Sequence, residues 1–241
     1  MFLAAGGAIV LFSAAKLWPP KEYDDLYNSQ QTNQQLLDGS AFASGYFPPE
    51  YADPSIDCGY GAGRMPIISD VETEWYPGQL SAAREPSLYL LSRQAEPPEF
   101  ALRFSLIPSF DPSMFVRIYK EGPDYWLVVK HLSGAGGYEP GSIAASNKRR
   151  LSESEVSRLM ELLAKLELFE ESKVDCVFGF DGSRLLFEQV DEDGYAMVNR
   201  WSPDEGKALE LGEFLIGLSG WAAPRGPSIA TALRELIAES F

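Results

Sequence analysis

Two stretches of the chain alternate apolar and polar residues and then double back through four-residue turns, which constrains the fold to antiparallel pairing. Phe115 to Lys120 and Tyr125 to Leu132 flank Glu121-Gly122-Pro123-Asp124, and Arg184 to Val190 and Tyr195 to Trp201 flank Asp191-Glu192-Asp193-Gly194. Each reads as a β-hairpin. Pro123 has no N–H to give a ladder and belongs in its turn. Asp193-Gly194 supplies the positive φ that a tight hairpin needs. Ala101 to Ile107 alternates in the same way, with Leu102, Phe104 and Leu106 on one side and Arg103 and Ser105 on the other. It reads as a half-buried strand. Ser87 to Arg93 reads as a further strand.

Helical periodicity is clearest from Ser152 to Phe169. Ser152 and Glu155 form a capping box, each side chain satisfying the other's free backbone N–H. Val156, Leu159, Met160, Leu163 and Leu166 make one apolar stripe that belongs to the core. Pro203 starts a second helix running to about Leu218, with Gly220 as its stop. A third spans roughly Ser228 to Ala238. Helices mixed with short hairpins give an α+β fold: an antiparallel sheet with about three helices packed on one face.

The amino-terminal part is different. Phe2 to Ala15 reads FLAAGGAIVLFSAA, an uncharged apolar run closed by Lys16 and followed by Pro19-Pro20. Such a run suits a bilayer or a secretion channel, so residues 1–20 are read as a signal peptide or a membrane anchor, with a buried helix as the alternative. Residues 21–100 are proline-rich and acidic. They begin with a Gln- and Asn-rich arm and continue, from Phe42 to Tyr76, as an aromatic, turn-rich segment expected to lie over the main domain. Residues 101–241 are read as the α+β domain itself.

Charge narrows the partners. The 241 residues carry 35 acids against 20 bases, a formal net charge of -15. Phosphate backbones are repelled, so nucleic acid is not an expected partner, while a basic protein is attracted. Cys58 and Cys176 have no CxxC context and His131 is the only histidine, so neither a usual zinc set nor a two-histidine metal motif is available. Neither a metal site nor a cofactor is expected. Exported to an oxidising space, the two cysteines would close one disulfide; otherwise they are separate thiols.

Catalytic patterns are sparse. Gly217-Leu218-Ser219-Gly220-Trp221 lacks the last glycine of a nucleophile elbow. Gly59-Tyr60-Gly61-Ala62-Gly63 and Gly134-Ala135-Gly136-Gly137 fit neither dinucleotide nor phosphate-loop spacing and read as turns that bring backbone close. The candidates for catalysis are Asp181 in its turn, Glu188 in the following strand, and His131 at the end of a strand before the glycine loop. Each has a plainer reading: Asp181 as a turn residue, Glu188 as the partner of Arg200 across the hairpin, and His131 as a hydrogen-bonded structural residue. Candidates for binding are Gly136, Gly137 and Tyr138 in the glycine loop, with Arg200 and Trp201.

The string from Gly179 onward, with Gly179, Asp181, Gly182, Ser183, Glu188, Gly194, Tyr195, Arg200, Trp201, Ser202 and Pro203, resembles a G-x-D-G-S…E…G-Y…R-W-S-P pattern of uncharacterised bacterial proteins. The resemblance implies no activity. In structural terms, Ser202 would cap the next helix and Pro203 would fit its first turn.

The expectation is a non-enzymatic binding protein of the cell envelope, periplasmic or held at the inner membrane through residues 1–18. An immunity or inhibitor protein facing a basic partner is one concrete form. A carboxylate-dependent hydrolase of envelope glycans is the alternative, and it requires Asp181, Glu188 and His131 to share one cleft. A structural domain of a membrane-associated assembly is a third possibility.

Overall fold

The structure, a computed structural model, describes residues 45–59, 63–177, 179 and 181–221. The apolar opening of the chain, the Gln-rich arm and the helix expected at 228–238 lie outside these residues. Among the described residues, no helix is long and apolar enough to cross a membrane.

The fold is α+β. Six strands form one antiparallel sheet: β3 (Ala101–Pro108), β4 (Met114–Glu121), β5 (Asp124–Leu132), β6 (Ile143–Arg150), β7 (Ser183–Asp191) and β8 (Gly194–Trp201), in the order β6-β5-β4-β3-β7-β8. Both hairpins pair in the register that their turns dictate, Glu121 opposite Asp124 and Asp191 opposite Gly194. The chain then closes the sheet by laying β7 against β3, with Arg103 opposite Glu188. The short strands β1 (Ile56–Asp57) and β2 (Arg64–Met65) form a separate hairpin.

Four helices complete the described structure: α1 (Asp70–Ala82), α2 (Leu88–Ser92), α3 (Glu153–Leu166) and α4 (Lys207–Ser219). On one face of the sheet, Leu102, Phe104, Leu106, Leu185 and Phe187 meet Leu159 and Leu166 of α3 and Leu211 and Leu215 of α4. Burying one such side chain contributes ~1.5–3 kcal/mol. The α3 helix carries the capping box expected from Ser152 and Glu155.

The opposite face is covered by residues 45–59 and 63–92. Tyr46, Phe47, Tyr51, Ile68, Tyr76 and Leu80 share a core with Ile107, Phe115, Leu186 and Met197 of the sheet. This second cover explains why β3 is buried along its whole length, Arg103 and Ser105 included. A strand covered on both sides is not half-buried, whatever its alternation suggests.

Three local expectations are corrected. The SLYLLSR stretch forms α2, because the Ser87 hydroxyl accepts from the Leu90 N–H and caps a helical turn. The helix expected from Pro203 begins at Lys207 behind Gly206, and no side chain caps it. The Ser202 hydroxyl accepts instead from the Ser183 N–H at 2.8 Å, tying the end of β8 to the start of β7.

Of the two alternatives for the cysteines, the structure has the disulfide. Cys58 and Cys176 are bonded, with Cα atoms 5.5 Å apart across 118 residues of sequence. The bond joins the β1–β2 hairpin to the segment running along the outer edge of β8. There the Asn199 N–H donates to the Lys173 carbonyl at 2.8 Å, and the Trp201 N–H donates to the Asp175 carboxylate at 3.1 Å.

Candidate functional site

Four segments distant in sequence meet at one end of the covered face and enclose an open groove of about 720 Å³. The first is the start of α1. Ser69 precedes it, and the Ser69 N–H and hydroxyl both donate to the Glu72 carboxylate at 2.8 Å, a capping box that fixes this carboxylate at the groove wall. The Tyr76 hydroxyl donates to the same carboxylate at 2.7 Å, and Arg184 of β7 pairs with it at 2.9 Å. Glu72 is thus fully engaged inside the protein.

The second and third segments are the β3–β4 connection and the glycine loop between β5 and β6. The Gly136 N–H donates to the Asp111 carbonyl at 2.9 Å and the Gly137 N–H to the Ser109 carbonyl at 3.0 Å. Glycine is required for this approach: a Cβ on Gly136 would lie 2.4 Å from the Pro108 carbonyl oxygen, and one on Gly137 2.7 Å from that of Ser109. The Gly136 carbonyl in turn accepts from the indole N–H of Trp75 and, at 2.8 Å, from the Gln79 amide. The loop is therefore bolted to α1, and Tyr138 projects from it.

The fourth segment is the Gly179–Ser183 turn with the end of β8. The Arg184 guanidinium lies 4.6 Å from the centre of the Trp201 ring. A Cβ on Gly179 would meet the Trp201 indole nitrogen at 2.4 Å, so the turn wraps closely around that ring. Asp181 stands exposed beside it.

The rim is unusually apolar for a water-facing surface. Val71 is 75% exposed, Tyr138 67% and Phe110 52%, and the Phe110 and Tyr138 rings lie 6.1 Å apart. Two exposed carboxylates line the groove, Glu74 and Asp181, and neither has a cation partner among the described residues. The lining thus offers aromatic surface and unneutralised negative charge together.

The structure sorts the residues singled out from the sequence. Asp181, Gly137, Tyr138 and Trp201 line this groove, and Gly136 anchors it from behind. Glu188, His131 and Arg200 do not belong to it. Arg200 pairs with Glu171 at 3.0 Å and is a structural tie. It cannot pair with Glu188, which lies opposite Met197 in the hairpin register. His131 sits 5.1 Å from the Trp221 ring, and burial pulls its imidazole below the ordinary histidine range, so it is neutral at pH 7. Among the described residues, its Nε2 has no hydrogen-bond partner.

Glu188 has no exposure at all. It belongs to a buried ionic cluster under the layer formed by residues 45–59 and 63–92. Arg103 holds it with Nη2 at 2.6 Å and Nε at 2.7 Å, and the Tyr195 hydroxyl donates to it at 2.9 Å. Glu85, from the segment between α1 and α2, receives Lys130 at 2.8 Å, Arg117 at 2.9 Å and Arg103 at 3.7 Å. Backbone carbonyls of the same segment supplement the carboxylates. Pro86 accepts from Arg103 at 2.6 Å, and Ala83 and Arg84 accept from Lys130 at 2.7 and 3.0 Å. Burial alone would push the Glu85 carboxyl up, but Lys130, Arg117 and Arg103 outweigh it and hold it at about 2. Burial pulls the Lys130 ammonium down to about 8, which leaves it charged at neutral pH. The cluster clasps residues 83–86 to the centre of the sheet.

Sequence reasoning missed Glu72, Trp75 and Arg184. The Ser69-x-x-Glu72 spacing is itself a helix-start signature and was readable. Nothing local announces that Arg184 reaches Trp201 and Glu72.

No protein-family model matches this chain, and no curated protein matches it.

Proposed function

We propose that this chain is a non-catalytic binding protein of the cell envelope, exported or tethered through residues 1–18, and that its groove receives a basic segment of a protein partner. The observation that carries this reading is the conjunction at the groove. Val71, Phe110 and Tyr138 leave apolar surface in water beside Glu74 and Asp181, two carboxylates without cations among the described residues. Exposed aromatic side chains at an interface supply contact area at low entropic cost, and free carboxylates select a cationic partner. The net charge of -15 favours the same partner at long range. The Cys58–Cys176 bond is of the kind that persists in oxidising spaces.

The hydrolase alternative required Asp181, Glu188 and His131 in one cleft. Asp181 faces the groove, Glu188 lies inside the ionic cluster, and His131 rests against Trp221. No observation favours that alternative.

The test uses the full chain, tagged at its carboxyl end, captured from membrane and soluble fractions in mild detergent. Wild type is compared with the Tyr138→Ser/Asp181→Asn double variant at low and high salt. The expected result is one basic protein retained by wild type at low salt, released at high salt, and lost with the variant. Equal retention by wild type and variant, or no partner under any condition, overturns the reading.

A further inference from the structure

The groove leaves few hydrogen-bonding groups for an occupant to use. Backbone N–H groups along it are spent inside the protein. That of Ser109 donates to the Gly182 carbonyl at 2.8 Å, that of Gly182 to the Ser109 hydroxyl at 3.1 Å, and that of Tyr138 to the Ala135 carbonyl at 3.0 Å. Those of Gly136 and Gly137 hold the β3–β4 connection. A partner strand therefore finds no row of free N–H groups to pair with. The Trp75 indole and the Ser69 hydroxyl are committed too, to the Gly136 carbonyl and to Glu72. Arg184 Nε has no acceptor, but it is buried.

The Trp201 indole N–H is different. Trp201 is 8% exposed, yet its Nε1 donates to no acceptor among the described residues. Gly179, the groove residue beside it, has no side chain to cover that nitrogen: a Cβ there would stand 2.4 Å away. The Arg184 guanidinium lies over the face of the ring, which leaves the nitrogen edge for an occupant. An N–H held in this way takes a carbonyl oxygen.

These features select among peptide conformations. A helix spends its carbonyls on its own turns, and a strand brings N–H groups that would go unpaired here. A polyproline II segment has no internal hydrogen bonds, so its carbonyls point outward, and each proline in it lacks an N–H. Proline rings dock on exposed aromatic faces, which Tyr138 and Phe110 supply at the rim. Glu74 and Asp181 stand ready for a neighbouring cation.

We propose that the segment received by the groove is proline-rich and extended as polyproline II, with a lysine or arginine beside the prolines. Its rings lie on Tyr138 and Phe110, one of its carbonyls accepts from Trp201, and its cation faces Glu74 and Asp181. This rests on the reading of the groove as the seat of a basic segment, and adds the composition and conformation of that segment.

The test is an NMR titration of the full chain in detergent, following the Trp201 indole N–H. The probes are the acetylated, amidated peptide Arg-Ala-Leu-Pro-Pro-Leu-Pro, the same peptide with its prolines replaced by alanine, and the same peptide with its arginine replaced by glutamine. Saturable binding of the first peptide is expected, with a downfield shift of the indole signal. The alanine peptide should bind at least about tenfold more weakly, because its backbone must be ordered on binding. The glutamine peptide should bind about three- to fivefold more weakly, a gap that closes at high salt and in the Asp181→Asn variant. Trp201→Phe should weaken the first peptide about fivefold. Equal affinity for the proline and alanine peptides overturns this proposal, while the arginine–glutamine gap keeps the reading beneath it. An indole signal that does not move, or no saturable binding of any peptide, also overturns it, and the capture experiment then decides that reading by itself. The peptide comparisons use wild type alone, so they stand even if a variant fails to fold.

Discussion

On one face of the sheet, Phe104 and Phe187 stack with ring centres 4.8 Å apart, and α3 and α4 close over them with apolar side chains. On the other face, β3 and β7 contribute Arg103 and Glu188, β4 and β5 contribute Arg117 and Lys130, and the layer answers with Glu85. Both faces carry buried residues. They differ in what happens when a partner is lost. An apolar contact that is removed leaves a cavity, whose cost scales with its volume. A buried charge that loses its partner leaves a desolvation penalty on every group that relied on it. The helix face is therefore tolerant of shape-conserving change, and the layer face is sensitive to the loss of a single carboxylate. The groove stands on that second face. Its wall at α1 continues directly into the segment that Glu85 clasps.

The largest expected effect breaks the clasp. Glu85→Ala removes the carboxylate that Lys130, Arg117 and Arg103 share and should cost about 4–5 kcal/mol, at the upper end for a broken buried pair, read as a lower urea midpoint. On the helix face, Phe187→Ala should cost about 3–4 kcal/mol, with no change in the cost between pH 7 and pH 4. An equal pH dependence of the two variants would erase the distinction between the faces. Removing the disulfide by Cys58→Ser/Cys176→Ser should cost about 2–3 kcal/mol. Because that bond ties the layer to the β8 edge, hydrogen exchange should rise in residues 51–59, 63–68 and 172–176 and stay low in α3 and α4.

The same comparison explains what the sequence revealed and what it hid. The hairpins, the α3 capping box and the helix-face residues were legible because apolar periodicity and turn chemistry are local signals. Arg103 was assigned to a half-exposed side because alternation separates the two faces of a strand without saying what covers the polar one. A buried Arg, Lys or Glu looks the same in sequence as a solvated one. Glu188 was noticed as a strand carboxylate, but its partner Arg103 lies 85 residues away, and only the β3–β7 register brings them together. The groove was legible in pieces. Asp181, Trp201 and the Gly136-Gly137-Tyr138 loop were each identified, while their convergence with Trp75 and Arg184 depends on tertiary packing. The late start of α4 follows from Ser202 at φ 41° and Gly206 at φ 99°, which turn the chain twice before the helix begins.

One measurement addresses the clasp most directly: the unfolding free energy of wild type and of Glu85→Gln, from urea titrations between pH 6 and pH 3. A carboxyl held at about 2 in the folded state and near its ordinary 4.5 when unfolded contributes stability that is present above pH 4.5 and lost as pH falls toward 2. The gap between wild type and variant should therefore shrink by about 2 kcal/mol between pH 6 and pH 3. A gap that stays constant across that range would mean that Glu85 does not hold the layer through its charge.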